Sequence, residues 1–318
     1  MQQDTILVIG ANGQIGSVLT RKLRQLYGTD RVIASDLRQA EATEGPFEQL
    51  DIMDAKSLQA VARKHKVTQV FHLAAILSAK GESMPKVAWD LNTQGLFNVL
   101  EMVRERKQRL FFPSTIAVFG DTTPRIVTPQ HTVMQPTTVY GISKVAGENW
   151  CQYYHQRYGV DVRSIRYPGI IGHASMPGGG TTDYAVDIFH YAAQDQPYTC
   201  FLAADACLPM LYMDDAIRAT LEIMSAPADQ VKVRTSYNVS GLSFTPAELV
   251  KTIQRYKPDF TADYAPDFRQ AIAASWPQSL DDRRAREDWG WAPAYDLDRM
   301  TAEMLEHLHR RYQPSALV

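Results

Sequence analysis

The feature that most narrows the fold is a glycine loop wedged between an apolar run and an amphipathic one. Residues 5–9 read as a strand and residues 14–27 as a helix, joined directly by Gly10-Ala-Asn-Gly13-Gln-Ile-Gly16. A chain that turns from strand to helix without a spacer needs a residue with free φ at the turn. It needs another without a Cβ where the helix start packs down. Gly10 and Gly16 stand at those two places. Gly13 leaves the backbone bare on the outer side, where free N–H groups and the positive end of the helix can meet a pyrophosphate. A glycine motif alone says little. Here strand, loop, helix and a second strand at residues 31–35 follow in order.

Asp36 ends that second strand, 20 residues beyond Gly16. A carboxylate there accepts hydrogen bonds from ribose hydroxyls and repels a 2′-phosphate, which favours NAD over NADP. Arg38, close by, reads as a solvated loop residue. Asp51 and Ile52 are placed to flank the adenine, or Asp51 caps a helix starting near residue 55. Asn12, Gln14, Ile15 and Leu37 complete the expected cofactor contacts in this region.

The alternation continues. Strands are expected at 69–73, 110–113 and 161–166, and helices at 85–107 and 140–158. Such alternation implies right-handed βαβ units and a parallel sheet covered on both faces, an α/β doubly wound fold of Rossmann type. After residue 168 the texture changes. A glycine-rich loop at 177–180 precedes a helix near 183–193, and prolines then punctuate the chain. We expect a nucleotide-binding domain over 1–168 and a smaller, partly interleaved substrate domain over 169–318. The mixed-sign run from Asp281 to Asp288 reads as a solvated helix face.

Composition excludes several classes. Thirty-three Lys and Arg against 35 Asp and Glu give a net charge of −2, so there is no basic excess for nucleic acid or an anionic membrane. No apolar run reaches the ~18–20 residues of a membrane span. Three cysteines without CxxC spacing argue against a disulfide framework and point to a reducing cytoplasm. With few residues before the first strand, no leader peptide is expected. The eight histidines form no HxxxH or HExxH pattern, so no metal is expected, and His72 reads as a satisfied core residue.

The chemistry is carried by Tyr140 and Lys144, an i, i+4 pair at the start of a helix. Free tyrosine, with a pKa of ~10, is a poor base at neutral pH. A neighbouring ammonium and a cationic nicotinamide favour the phenolate. Ser114 and Thr115 end the preceding strand at the carboxyl edge of the sheet, where open α/β folds bind ligands.

These motifs resemble those of the extended short-chain dehydrogenase/reductase family. The glycine loop, Asp36, His72-Leu-Ala-Ala75, Asn92, Ser114-Thr115 and Tyr140/Lys144 occur in the family's order. The resemblance implies that Tyr140 is the general acid/base and that Lys144 binds the nicotinamide ribose while acidifying the phenol. It also implies that Thr115, with Ser114 beside it, holds the reacting oxygen. Asn92, Leu73, Ala74, Ala75 and Tyr167 are then expected around the cofactor.

A narrower likeness, carried most specifically by Gly179-Gly-Thr-Thr-Asp-Tyr-Ala, is to the short-chain L-threonine 3-dehydrogenases. It implies oxidation of the threonine β-hydroxyl to 2-amino-3-ketobutyrate with NAD. It also implies substrate contacts from Ser78, Thr115, Tyr140, Gly180, Thr181, Thr182 and Trp276, and a homodimer formed through the helices at 85–107 and 140–158. Thr182 as a helix cap and Trp276 as a core residue are the competing assignments. Two other functions fit the same motifs: a nucleotide-sugar 4-epimerase or dehydratase, and a non-catalytic NAD-sensing module.

Overall fold

A computed structural model describes residues 4–39 and 44–312. In chain order the elements are β1 (Ile6–Ile9), α1 (Gln14–Tyr27), β2 (Val32–Asp36), β3 (Phe47–Gln49), α2 (Ala55–Lys64), β4 (Gln69–His72), α3 (Ser78–Ser83), α4 (Pro85–Arg106), β5 (Arg109–Thr115), α5 (Val139–Tyr158) and β6 (Val162–Tyr167). There follow β7 (Gly169–Ile171), α6 (Tyr184–Ala193), β8 (Tyr198–Cys200), β9 (Leu208–Tyr212), α7 (Met213–Ser225), β10 (Tyr237–Asn238), β11 (Leu242–Phe244), α8 (Pro246–Tyr256), β12 (Ala262–Tyr264), α9 (Phe268–Ala274), α10 (Arg283–Trp289) and α11 (Leu297–Tyr312).

Seven strands form the main sheet in the order β10-β6-β5-β4-β1-β2-β3. The pairs β1–β2, β1–β4, β2–β3 and β4–β5 are parallel. All four residues of β1 are buried, as the apolar run Ile6-Leu-Val-Ile9 requires when helices cover both faces. One side of the core is built from Leu7, Ile33 and Val70 of the strands, with Leu96, Val99 and Leu100 of α4. The strand order reverses between β1 and β4, so the carboxyl ends of these two strands open the crevice in which such sheets bind ligands.

The chain divides into two compact units. One comprises Met1–Val118, Thr138–Arg166 and Ala219–Tyr237, and the other Phe119–Thr137, Tyr167–Arg218 and Asn238–Val318. The second unit holds a three-stranded sheet, β11-β9-β7, in which β9 runs parallel to β7 and antiparallel to β11. A parallel pair, β8–β12, lies in the same unit.

Local signals account for several helix starts. Asp54 caps α2 by accepting from the Lys56 and Ser57 N–H groups. Thr138 caps α5 through the Gly141 N–H, and a reciprocal Thr245/Glu248 box starts α8. Two expectations need correction. The second strand begins at Val32, because Thr29–Arg31 winds into a 3₁₀ turn first. The run from Asp281 to Asp288 is not wholly a solvated face. Arg283 and Arg286 pair with Asp281 and Asp282, but Asp288 is buried alongside Ala285 and Trp289.

Among the described residues, no helix is long and apolar enough to cross a membrane.

Candidate active site

The glycine loop is shaped by two close approaches. Gly10 has φ +85°, and a Cβ there would stand 2.7 Å from the Ala74 nitrogen. At Gly16 a Cβ would fall 2.1 Å from the Gly10 oxygen, so any side chain would force loop and helix apart. Gly13 is less crowded: a Cβ would meet only the Gly10 oxygen, at 3.3 Å. It also starts α1 with no side chain satisfying the helix's free N–H groups, and no acidic residue occupies the first turn. The buried Gln14 amide nitrogen has no hydrogen-bond partner. Bare donors and a backbone open on its outer side fit an anionic dinucleotide.

The crevice beside this loop is lined by Ile9, Gly10, Asn12, Gly13, Asp36, Leu37, Arg38, Leu50, Asp51, Ile52, Leu73, Ala74, Ala75 and Leu91. It thus gathers most of the residues the sequence singles out for the cofactor and adds Ile9, Arg38, Leu50 and Leu91. The Asp36 carboxylate accepts from the Asn12 N–H at 3.1 Å, and the Asn12 amide donates to the Arg38 carbonyl at 2.8 Å. Loop and strand end are thereby clamped together. Asp51 accepts from the Met53 N–H and does not cap α2, a task that falls to Asp54.

Asn92 is absent from this lining. Its amide pins the loop after β4 instead, accepting from the Ile76 N–H at 2.9 Å and donating to the Ile76 carbonyl at 3.0 Å. It also donates to Ser143 of α5 at 3.2 Å. Tyr167 ends β6 as a buried residue.

At the end of β5, the Thr115 side chain stands beside the Tyr140 phenol and favours its ionised form. Lys144, one helical turn further along α5, donates to the Pro113 carbonyl at 2.7 Å, with its nitrogen 4.5 Å from the Phe112 ring centroid. Burial pushes the Tyr140 phenol up to about 12, against the lowering effect of Thr115. Burial likewise brings the Lys144 ammonium down to about 8, opposed by Cys151 and Glu148. Burial outweighs the opposing effect of Thr115 on the phenol, and on the lysine it outweighs the opposing effect of Cys151 and Glu148.

Ser114 does not share Thr115's position. Its hydroxyl donates to Glu148 at 2.5 Å, and Glu148 in turn accepts two bonds from Arg166, at 2.9 and 2.8 Å. The structure thus takes Ser114 out of the hydroxyl set around Tyr140. Glu148 and Arg166 escaped the sequence reading. The available signals were an acidic residue four positions after Lys144 and a charged residue inside an apolar strand.

His72 is buried, as expected, but not satisfied: its Nδ1 has no partner. Burial, with the Lys144 charge adding to it, lowers its pKa to about 3. Ser78 is buried in the first turn of α3.

The remaining candidates lie in the second unit. The buried Thr181 hydroxyl has no partner, as a ligand-facing group would not. Thr182 is not the cap of α6. Asp183 holds that position and receives the Gly180 N–H at 2.8 Å, while Thr182 packs on Gly169. Trp276 is buried, and its carbonyl accepts from Arg125 at 3.2 Å.

Comparison with known proteins places this geometry. An uncharacterised epimerase/dehydratase of Staphylococcus haemolyticus is 46% identical over 98% of this chain and 99% of its own length. The holo form of a GalE-like L-threonine dehydrogenase from Cupriavidus necator superposes with a TM-score of 0.94 at 55% identity, covering 96% of this chain and 99% of that one. A monomeric L-threonine 3-dehydrogenase from a metagenome has a TM-score of 0.95 at 48% identity, over 97% of this chain and all of its own. The sequence pattern of one family matches residues 6–240, which include the glycine loop, Asp36, Thr115, Tyr140 and Lys144. On that match, the chain belongs to the NAD dependent epimerase/dehydratase family.

Proposed function

We propose that the protein is an NAD-dependent L-threonine 3-dehydrogenase that converts the threonine β-hydroxyl to the ketone of 2-amino-3-ketobutyrate. The observation that carries this reading is the meeting of Thr115, at the end of β5, with Tyr140 and Lys144 of α5, in the unit that also holds the glycine loop. The solved relatives described as L-threonine dehydrogenases, at 55% and 48% identity, support the choice of substrate.

The residues divide the work. Gly13 and the first turn of α1 hold the pyrophosphate, Asp36 the adenosine ribose, and Asp51 with Ile52 the adenine side. NAD, when bound, would supply the acceptor for the hydride of the substrate Cβ. Thr115 orients the substrate hydroxyl, and Tyr140, as phenolate, accepts its proton. The Lys144 ammonium holds the nicotinamide ribose. As the hydroxyl proton passes to the Tyr140 phenolate, which becomes the phenol, loss of hydride from Cβ turns the alcohol into a ketone. Positioning of the reacting groups supplies most of the acceleration. Ser78, Gly180, Thr181, Thr182 and Trp276 are assigned to the substrate's remaining groups. Thr181 leads this set because its hydroxyl is buried and unpartnered.

Adding NAD and L-threonine to the purified protein should produce NADH, whereas UDP- and dTDP-sugars should yield no product. Sugar conversion without threonine oxidation would move the assignment to an epimerase or dehydratase. Neither activity, with NAD bound, would leave a sensing module.

We also propose a homodimer through the outer faces of α4 and α5, where Val87, Trp89, Ile142, Trp150 and Tyr153 are exposed. Sedimentation at micromolar concentration tests this directly, and a single species of 35.8 kDa would refute it. A cytoplasmic location accords with Cys151, Cys200 and Cys207, all of them free.

A further inference from the structure

Three consecutive residues of β5 are each tied to a different residue of α5. The Pro113 carbonyl accepts from Lys144 at 2.7 Å, the Ser114 hydroxyl donates to Glu148 at 2.5 Å, and the Thr115 side chain stands beside the Tyr140 phenol. The middle tie is anchored from a third element. Arg166 of β6 grips both Glu148 oxygens, with side-chain exposures of 3% for the arginine and 0% for the glutamate.

A charge pair this deeply buried is a poor device for stability. Desolvation consumes much of the attraction, and apolar side chains of similar volume often serve the fold as well or better. What the pair supplies here is geometry and charge, next to two residues assigned to the reaction.

We propose that Glu148, clamped by Arg166, is a positioning residue of the active site. Through Ser114 it fixes the end of β5 against α5, and so sets Thr115 against Tyr140 and the Pro113 carbonyl against Lys144. Its carboxylate also favours the ammonium form of Lys144, the form that can hold a ribose. The groups facing Lys144 are Tyr140, Glu148 and Cys151 from α5, the Phe112 ring and Pro113 carbonyl from β5, and His72 from β4. Glu148 is the carboxylate of this set and raises the Lys144 pKa, so its loss moves Lys144 toward the neutral form at lower pH.

The role rests on the dehydrogenase reading for its kinetic assay only. Three variants of the full chain test it: Glu148→Gln, the paired Glu148→Leu/Arg166→Met, and Ser114→Ala. The paired variant leaves no lone buried charge, and Ser114→Ala leaves the ion pair intact, so folding does not decide the result. At neutral pH all three should bind NADH, followed by its fluorescence, within about threefold of wild type. With L-threonine and NAD, kcat should fall about tenfold or more in the two Glu148 variants and about threefold in Ser114→Ala, with KM changed less. In Glu148→Gln the alkaline fall of kcat should begin about one pH unit earlier.

Wild-type kcat in the paired variant and in Ser114→Ala would overturn the proposal, because a merely structural pair is dispensable once the chain folds. Failure of the wild-type protein to oxidise threonine would overturn the dehydrogenase reading instead. The role of Glu148 is then decided by the pH dependence of NADH affinity: an alkaline loss that begins earlier in Glu148→Gln supports it, and an unmoved one overturns it.

Discussion

Lys144 donates to the Pro113 carbonyl at 2.7 Å, and its nitrogen lies 5.7 Å from the centroid of the Tyr140 ring. The ammonium stands beside the phenol but is bonded to the backbone. Burial raises the phenol to about 12 and lowers the lysine to about 8, so both shifts favour neutral forms. Acidification of Tyr140 must therefore await the charge of a bound nicotinamide. A difference titration of phenol absorbance, wild type minus Tyr140→Phe, should show no ionisation below about pH 11 without cofactor. With NAD added, the same difference should appear nearer neutrality. A phenol that already titrates near pH 7 in the free protein would contradict this order of events.

Replacing the phenol tests its role in the reaction. Tyr140→Phe should lower kcat by about 10²–10⁴-fold, the usual worth of a positioned acid or base, while NADH affinity stays close to wild type. Thr115→Ser should keep most of the rate and Thr115→Val should not, because it is the hydroxyl that favours the ionised phenol. Steady-state kinetics and fluorescence titration separate the two effects. Equal losses in Thr115→Ser and Thr115→Val would assign Thr115 to packing.

Asp36 should select the cofactor. Its carboxylate is held by the Asn12 N–H at the mouth of the crevice, with Arg38 exposed two residues later. Asp36→Ser removes the hydrogen bonds to the ribose hydroxyls and the repulsion toward a 2′-phosphate. A charged hydrogen bond is worth about 1.5–3 kcal/mol, so kcat/KM for NAD should fall roughly 10–100-fold. That for NADP should rise. An unchanged NAD/NADP ratio would place the ribose away from Asp36.

The two kinds of glycine in the loop should separate in experiment. Gly16→Ala drives a methyl to 2.1 Å from the Gly10 oxygen, a backbone atom that cannot swing aside. This variant should lose stability by about 2 kcal/mol or more, read as a drop in melting temperature. Gly13→Ala meets only a 3.3 Å contact, so it should melt near wild type yet bind NADH about tenfold more weakly. The reverse pattern would mean that Gly13 serves the turn and not the ligand.

Features written within one short stretch of chain were legible in the sequence, and features assembled from several stretches were not. The helix expected at 14–27 is observed as Gln14–Tyr27, because Gly13 and Gly28 bound it locally. Tyr140 and Lys144 share a face by helical spacing alone. The Ser114–Glu148–Arg166 network draws on β5, α5 and β6, and no periodicity announces it. The edge strand Phe47–Gln49 lacks an apolar run, since its residues are half-buried or exposed. Asp51 and Asp54 illustrate a finer limit. Both precede α2 and both can cap, and only the backbone path decides that Asp54 does.

His72 provides a test that needs no cofactor. It is buried with an unpartnered Nδ1, and burial, with Lys144 adding to it, lowers its pKa to about 3. In the unfolded chain a histidine titrates near ~6.5. As pH falls below that value, the unfolded state takes up a proton that the folded state refuses, so stability is lost at up to about 1.4 kcal/mol per pH unit. The loss continues down to the folded value of about 3. His190, whose pKa burial and the Arg311 charge also lower, acts over the same range. The Asp161 carboxyl is raised by burial but brought down to about 2 overall by Arg163 and Arg234, so it acts only below its ordinary value. The difference between wild type and His72→Gln in urea unfolding at pH 6.5 and pH 5 therefore isolates the imidazole. Wild type should lose about 2 kcal/mol more than His72→Gln across that interval. Equal losses would mean that the ring accepts its proton in the folded protein, and that the space behind Lys144 is wetter than its burial implies.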